Sequence, residues 1–490
     1  MRIHTLPALA LAGVLAPLAL AACGLDVSDL NDPSLDDLKN HPDAISINAA
    51  CIGLLIGNRG NQAAENGYVS LLGILGREAY NFDAADPRYI TEMLQGTLDA
   101  GSPYGGNFWA IPYANLQLGT VILGALDKVS DLSDSDKAAI RGFTRTINAL
   151  DLLDVVNTHA SNGAVLDINP DPLGQLSPIV TDTTMQLDKI TGLLDDALPD
   201  LMTAKTGGDT FPFLFGKGFA NFDTPTTFLT FNHAIRARVA AYAGDYSRVL
   251  SELALSFRDD NPMTIDINNG VYYAYSTKPG DTSNALINPN IFVHPKISAD
   301  AEHNANNDPI DDRLLRKTAA VDSPGGARIA VDLPHHPDAM NTPLPILAFK
   351  KLYPSPESSV PLIRNEELVL LEAEAKWFTS DHAGAITALN LIREVSGKLG
   401  DLSTPPTTNA QFVAALLHER EFSLLFEGHR WIDVRRFNPV YGTLGDLPLY
   451  LNPATQTKPA KNDALNVRFP IPLSECNART NEPACALGST

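Results

Sequence analysis

Apolar residues recur along most of this chain at steps of three and four, and that spacing commits it to helices packed against one another rather than to sheets. Ile140, Phe143, Ile147, Leu150 and Leu153 lay one stripe along a helix that begins near Ser135, with Ser133 three residues before Asp136 in the arrangement of a cap. The same steps predict helices over 109–126, 185–201 and 228–243, the last followed by Gly244-Asp245-Tyr246 and a second helix to about Phe257. The pairing returns at 365–378 and 382–395, divided by Thr379-Ser380-Asp381, and a final helix is expected over about 409–434.

Two of these pairs resemble tetratricopeptide hairpins, in which an aromatic closes the first helix and a tight polar turn leads to small residues opening the second. Ala240-Ala241-Tyr242-Ala243-Gly244-Asp245-Tyr246 carries that pattern. The fixed period of a tandem array is absent, so the hairpins are dispersed within one body. The expected fold is therefore mainly α: a single large helical body with tetratricopeptide-like hairpins, long irregular loops and little β. Pro and Gly mark the irregular parts at 100–106, 161–178, 203–225 and, as a loop-rich insertion, about 258–362, where Val271-Tyr272-Tyr273-Ala274-Tyr275 reads as a strand.

The first 22 residues read as a secretory signal, with Arg2 ahead of an apolar stretch from Leu6 to Leu20 that Pro7, Gly13 and Pro17 interrupt. Leu20-Ala21-Ala22-Cys23 resembles the lipobox of bacterial lipoproteins, which makes Cys23 the expected lipidation site and 23–490 the mature chain. No later window offers ~18 uninterrupted apolar residues, so membrane attachment is expected through the anchor alone. Gly24, where an Asp would resemble an inner-membrane retention signal, points to the outer membrane. With 36 basic against 57 acidic residues the formal charge is −21, which excludes nucleic acid as a partner. Cys51 sits in an apolar stretch and reads as a buried small hydrophobe, whereas Cys476 and Cys485, in the polar tail of an exported chain, are expected to form a disulfide.

Motifs for catalysis, cofactors and metals are missing. His418-Glu419-Arg420-Glu421 lacks the second histidine of a zinc helix and reads as a salt-bridge cluster. Asp266-Ile267-Asn268-Asn269-Gly270 is followed by Val271 and Thr277 where a calcium loop needs Gly and Glu. Gly216-Lys217 has Phe211 in place of the first glycine of a phosphate loop. His335-His336 beside Asp338 reads as polar surface. No catalytic residue, cofactor or metal is expected.

The run from His418 through Glu419-Arg420, Phe426-Glu427-Gly428, Arg430-Trp431, Asp433 and Arg435-Arg436 combines an apolar face with Glu and Arg spaced for ion pairs such as Glu427 with Arg430. It closely resembles the signature of the SusD/RagB family of outer-membrane nutrient-binding lipoproteins. Pro361-Leu362-Ile363-Arg364 through Glu372-Ala373-Glu374-Ala375 and Phe469-Pro470-Ile471-Pro472-Leu473-Ser474-Glu475 resemble two further family segments. Trp109 to Asn115 and Gln186 to Leu198 corroborate them by order, so the resemblance spans nearly the whole mature chain.

The resemblance implies a non-enzymatic lipoprotein, anchored on the outer membrane and facing the surface. Its scaffold would pack against a SusC-like TonB-dependent transporter while loops capture a nutrient, a glycan or other polymer fragment. A periplasm-facing helical scaffold that organises an envelope complex is the alternative. Trp109, Trp377 and Trp431 fall on helices, where core packing is expected. The candidate ligand-binding residues are the loop rings and their neighbours: Tyr80, Phe82, Arg88, Tyr89 and Tyr104, with Tyr272, Tyr273 and Tyr275 as the other wall of one cleft.

Overall fold

The computed structural model describes residues 35–169, 174–306, 308–321, 346–447, 465–479 and 481–490. The signal segment, Cys23 and the His335-His336 pair lie outside them.

The chain enters through α1 (Leu35–Asn40), α2 (Ala44–Arg59) and α3 (Tyr68–Leu75). After the short α4 (Arg88–Thr91) come α5 (Ala110–Ala125), α6 (Asp134–His159), α7 (Thr183–Thr206), α8 (Pro225–Ala243) and α9 (Tyr246–Leu253). Short helices α10 (Pro295–Asp300) and α11 (Asp312–Lys317) lead to α12 (Asn365–Phe378), α13 (His382–Ile392), α14 (Asn409–Ser423), α15 (Arg430–Tyr441) and a terminal turn, α16 (Leu473–Ala478). From α5 onward neighbours in sequence pack as neighbours in space, α5 on α6, α6 on α7, α7 on α8, α8 on α9, and α12 on α13, while α2 packs on α5 across the short α3 and α4. The fold is mainly α.

Local chemistry explains most boundaries. Ser133 and Asp136 form a reciprocal capping box that starts α6. Thr224 and Thr408 do the same for α8 and α14. Gly244 ends α8 with a left-handed φ of 75°, which opens the polar turn of the hairpin into α9. The stretch expected to be irregular after α7 becomes an aromatic strap: Phe211, Phe213 and Phe215 all lie against Phe143 of α6 and Phe228 of α8 or its neighbours.

Four two-stranded antiparallel ladders stitch distant segments together: β1 (Ala79–Asn81) with β5 (Ile291–Val293), β2 (Ala164–Val165) with β3 (Ile179–Val180), β4 (Gly270–Tyr273) with β8 (Val360–Arg364), and β6 (Ala319–Ala320) with β7 (Leu347–Ala348). Segment 258–362 is thereby tied at β5 to the N-terminal part and at β4 to the strand that leads into α12.

The helix expected over 409–434 is a correction: it is two helices, α14 and α15, interrupted at 424–429. Phe426 and Gly428 take left-handed φ values of 58° and 86° there. The bend turns Phe426 onto Phe349 and swings Glu427 inward to Arg364 and Lys317. Glu427 therefore does not make the expected pair with Arg430, whose guanidinium lies 3.4 Å from Glu421 instead.

The main core spans all but the α12–α14 corner, where Trp377 stacks on Phe412 at 4.3 Å and donates from Nε1 to Asn409 Oδ1 (2.9 Å). Trp109, Trp377 and Trp431 are all buried. Late in the chain, Phe469 inserts among Phe108, Trp431 and His159, with centroids 5.0, 5.7 and 6.2 Å away. Cys51 is buried on α2, and a disulfide joins Cys476 to Cys485.

Candidate functional site

The signature charges of α12, α14 and α15 face inward as buried pairs. Arg238 of α8 grips both oxygens of Glu367 (2.7 and 2.6 Å) and donates to the Leu362 carbonyl (2.7 Å). That guanidinium outweighs the desolvation of the Glu367 carboxyl and holds its pKa at about 2. Arg420 meets Asp433 at 2.7 Å, and Arg436 meets Glu374 at 2.6 Å. These groups join helices as buried ion pairs.

Among the described residues, one His/acid cluster has the spacing of metal ligands: Glu302, His418 and Glu419. Arg393 Nη1 lies 2.6 Å from both Glu302 and Glu419, and Arg313 Nη1 lies 2.6 Å from Glu419. Two guanidiniums already supply the positive charge that a metal would bring.

A second polar tract runs between α2, α5 and α6. Asn58 Nδ2 and Asn115 Nδ2 donate to the two oxygens of buried Asp151 (2.8 and 2.6 Å), and Gln62 Nε2 donates to Asp154 (2.6 Å). Desolvation pushes the Asp151 carboxyl well above its ordinary range and that of Asp154 up to about 7. Gly57 makes the arrangement possible, because a Cβ there would stand 2.2 Å from Asn115 Oδ1. Two cavities, about 10 and 40 Å³, share Gln62, Tyr68 and Asp154 as walls. They have room for about one water each and are too small for a sugar ring. A polar surface lies beside them, next to Asn61 and Gln62.

That surface centres on the loop joining α2 to α3, residues 60–67. Asn61 Nδ2 donates to Asn107 Oδ1 (2.8 Å), and Asn107 Nδ2 donates to the Asn66 carbonyl (2.7 Å). Asn81 Nδ2 donates to Glu65 (2.9 Å), while Ala285 N donates to the Ala63 carbonyl (2.9 Å). Both groups of candidate residues flank this loop. Tyr80, on β1, hydrogen bonds His294 Nε2 through its hydroxyl (2.8 Å), and Phe82 leans on it at 5.4 Å. Arg88 pairs with Asp86 (2.6 Å) above the Tyr104 ring, whose hydroxyl donates to the same carboxylate (2.6 Å), and Tyr89 meets Tyr104 edge-on at 4.7 Å. On the other side Tyr275 lies 5.8 Å under Arg59, which pairs with Asp281. Tyr273 lines the larger cavity, and the Tyr272 hydroxyl donates to the Asn268 carbonyl.

The rings were expected on loop surfaces. Tyr80, Tyr89, Tyr104, Tyr273 and Tyr275 are instead buried, Phe82 and Tyr272 are half-buried, and only Arg88 is exposed. Tyr80 and Tyr273 sit in paired strands whose burial the loop reading missed, and Tyr104 is drawn down by Asp86. No aromatic ring among the described residues is exposed. What the sequence reading overlooked is the polar run Asn58-Arg59-Gly60-Asn61-Gln62 and Glu65-Asn66-Gly67 between two apolar helices, a composition that signals an ordered turn.

Residues 355–481, covering α12 to α16 and the inward-facing charges, match the sequence profile of the SusD family. Over that C-terminal segment the chain is similar to the SusD family. Solved SusD-like structures share the fold across nearly its whole length. A SusD superfamily protein from Bacteroides vulgatus is 17% identical with a TM-score of 0.60, covering 91% of this chain and 98% of its own. A SusD-like carbohydrate-binding protein from Bacteroides fragilis is 14% identical with a TM-score of 0.61, over 88% and 97%. A laminarin-binding SusD-like protein is 16% identical with a TM-score of 0.55, over 89% and 98%. No curated protein matches the chain. Among the described residues, no helix is long and apolar enough to cross a membrane.

Proposed function

We propose that this SusD-family chain is an outer-membrane lipoprotein, anchored through Cys23, that captures an extracellular nutrient and passes it to a SusC-like TonB-dependent transporter. The nutrient is a glycan or another polymer fragment. The observation that carries this reading is the SusD-like body itself, with its signature charges consumed inside and one surface built from cross-bonded polar loops. Relatives described as carbohydrate-binding and laminarin-binding support a sugar ligand. With the rings turned inward, recognition falls to hydrogen-bonding groups around residues 60–67, chiefly Asn61, Glu65 and Asn107, with Arg88 and Phe82 at one margin.

Purified mature protein screened against glycan and peptide panels tests this. Binding of one ligand class, weakened at least tenfold by Asn61→Ala together with Asn107→Ala at unchanged melting temperature, supports the reading. Binding untouched by both changes moves the site elsewhere. Cys23→Ser is expected to release the protein from the membrane fraction.

A further inference from the structure

Of the polar side chains in the loop 60–67, Gln62 alone is buried, at 5% exposure. It stands with Tyr68 and Asp154 in the wall between the two small cavities. Asn58, Asn61 and Ile111 line the outer one, and Arg238, Tyr273 and His429 line the inner one. The Gln62 amide donates inward to Asp154 (2.6 Å), while its carbonyl accepts from Val69 N (3.1 Å) and that of Asn61 from Tyr68 N (2.8 Å). One side chain thus fastens the loop to α6, and two carbonyls fasten it to the start of α3.

Asp154 accepts from an amide where a buried carboxylate ordinarily has a cation. Arg238 of α8, the guanidinium that lines the inner cavity, is committed to Glu367 and the Leu362 carbonyl. The phenols of Tyr68, Tyr242 and Tyr273 face the site from α3, α8 and β4, and burial raises all three so that they stay neutral. At the α14–α15 bend Glu427 is paired with Lys317 and Arg364, and burial lowers His429 to about 4. One turn back on α6, Asp151 keeps its proton, its carboxyl raised by burial and by Asp154. An ionised Asp154 is therefore met by Gln62 and little else, between cavities with room for about one water each.

We propose that Asp154 is the buried half of a pH-sensitive latch on this loop: with its carboxyl neutral, Gln62 seals the wall between the cavities, and ionisation swings Gln62 out, joins them into one water-filled channel and opens residues 60–67. Burial sets the sign. The closed site raises Asp154 to about 7 from an ordinary 3.8, and opening to water returns it toward the lower value. The closed loop is thus fully favoured below about pH 4 and loses that preference as pH rises to about 7. Resting on the reading above, the latch regulates the nutrient surface, because Asn61 and Glu65 ride on the same loop.

Hydrogen–deuterium exchange of the mature protein, read by mass spectrometry and corrected for the intrinsic pH dependence of amide exchange, tests this without a ligand. Exchange of residues 60–69 is expected to quicken at least about tenfold between pH 5 and pH 8, while α12 in the core stays protected. Asp154→Asn keeps an acceptor for Gln62 without the charge and is expected to abolish that response. Gln62→Ala, which leaves the carboxyl in place, is expected to expose the loop at pH 5 as fully as in the wild type at pH 8. Wild-type exchange independent of pH, a response unchanged in Asp154→Asn, or full protection at pH 5 in Gln62→Ala each overturns the latch. So does a loop as protected as α12 at both pH values, which opens only by global unfolding. A failed ligand screen sinks the binding reading but not the latch, since no ligand enters these measurements.

Discussion

The Phe426 ring lies flat on Phe349, with centroids 4.0 Å apart and planes 9° from parallel. It can do so only because the chain leaves helical geometry at residue 426 and adopts a left-handed φ. The backbone around it is held as well: Phe426 N donates to Glu78 Oε1 (3.0 Å), and the Tyr353 hydroxyl donates to the Phe426 carbonyl (2.9 Å). The strained φ is thus fixed by contacts from two separate segments, one carrying Glu78 and the other Phe349 and Tyr353.

Phe426→Ala is expected to destabilise the protein by about 3–5 kcal/mol through lost burial and a cavity against Phe349. Trp431→Ala belongs in the same range, because the buried indole also donates to the Asn466 carbonyl (2.9 Å) and carries Arg435 on its face at 3.6 Å. Chemical denaturation reads both. A loss below about 1 kcal/mol would mean that the α14–α15 break relaxes around the deletion.

Arg238→Met should cost about 3–5 kcal/mol, since it strands the Glu367 carboxylate in the interior. The double variant Arg238→Met with Glu367→Leu should recover much of that loss. A double-mutant cycle of thermal unfolding checks the sign, and additivity of the two changes would refute pairing as the main effect.

Stability should also depend on pH through Glu78. Burial raises its carboxyl to about 8 from an ordinary 4.5, and its second oxygen has no hydrogen-bond partner among the described residues. Between those two values the unfolded chain loses this proton while the folded chain keeps it. Stability from this group is therefore complete below about pH 4 and falls as pH rises toward 8. Glu78→Gln keeps the acceptor for Phe426 N without the charge, and should gain on the order of a few kcal/mol over wild type at pH 9 but little at pH 4. Equal stability of the two proteins at both pH values would contradict this.

Tyr273→Ala should lower stability by about 2–4 kcal/mol, because the ring is core. Arg88→Ala, at an exposed side chain, should leave the melting temperature nearly unchanged. Differential scanning calorimetry separates the two. An unaltered Tm for Tyr273→Ala would return that ring to the list of ligand contacts.

How much of this was legible follows from where each constraint originates. The stripe Ile140 to Leu153 and the Ser133 cap are local, and α6 appears where they place it. Nothing local breaks 409–434 except Gly428: Leu424, Leu425 and Phe426 are acceptable helix residues, and the interruption is imposed by Arg364, Lys317 and Phe349 from other segments. The tyrosines were misplaced for a different reason. The alternation of Val271, Tyr273 and Tyr275 already put them on one strand face, and all three are buried. Their neighbouring turn residues outweighed that period-two signal in the loop reading. The proposed binding surface was least legible because it is made of ordinary asparagines whose role depends on what stands opposite them.

The position of Phe469 bears on the order of events during synthesis and export. Its ring fills a space walled by Phe108, His159 and Trp431, so aromatic surfaces made early wait for a residue that emerges several hundred positions later. Until then Phe108 and His159 face an open void, and the nascent body is prone to stick to its neighbours. Secretion yield should be more sensitive to Phe469 than the equilibrium cost of one phenylalanine would suggest.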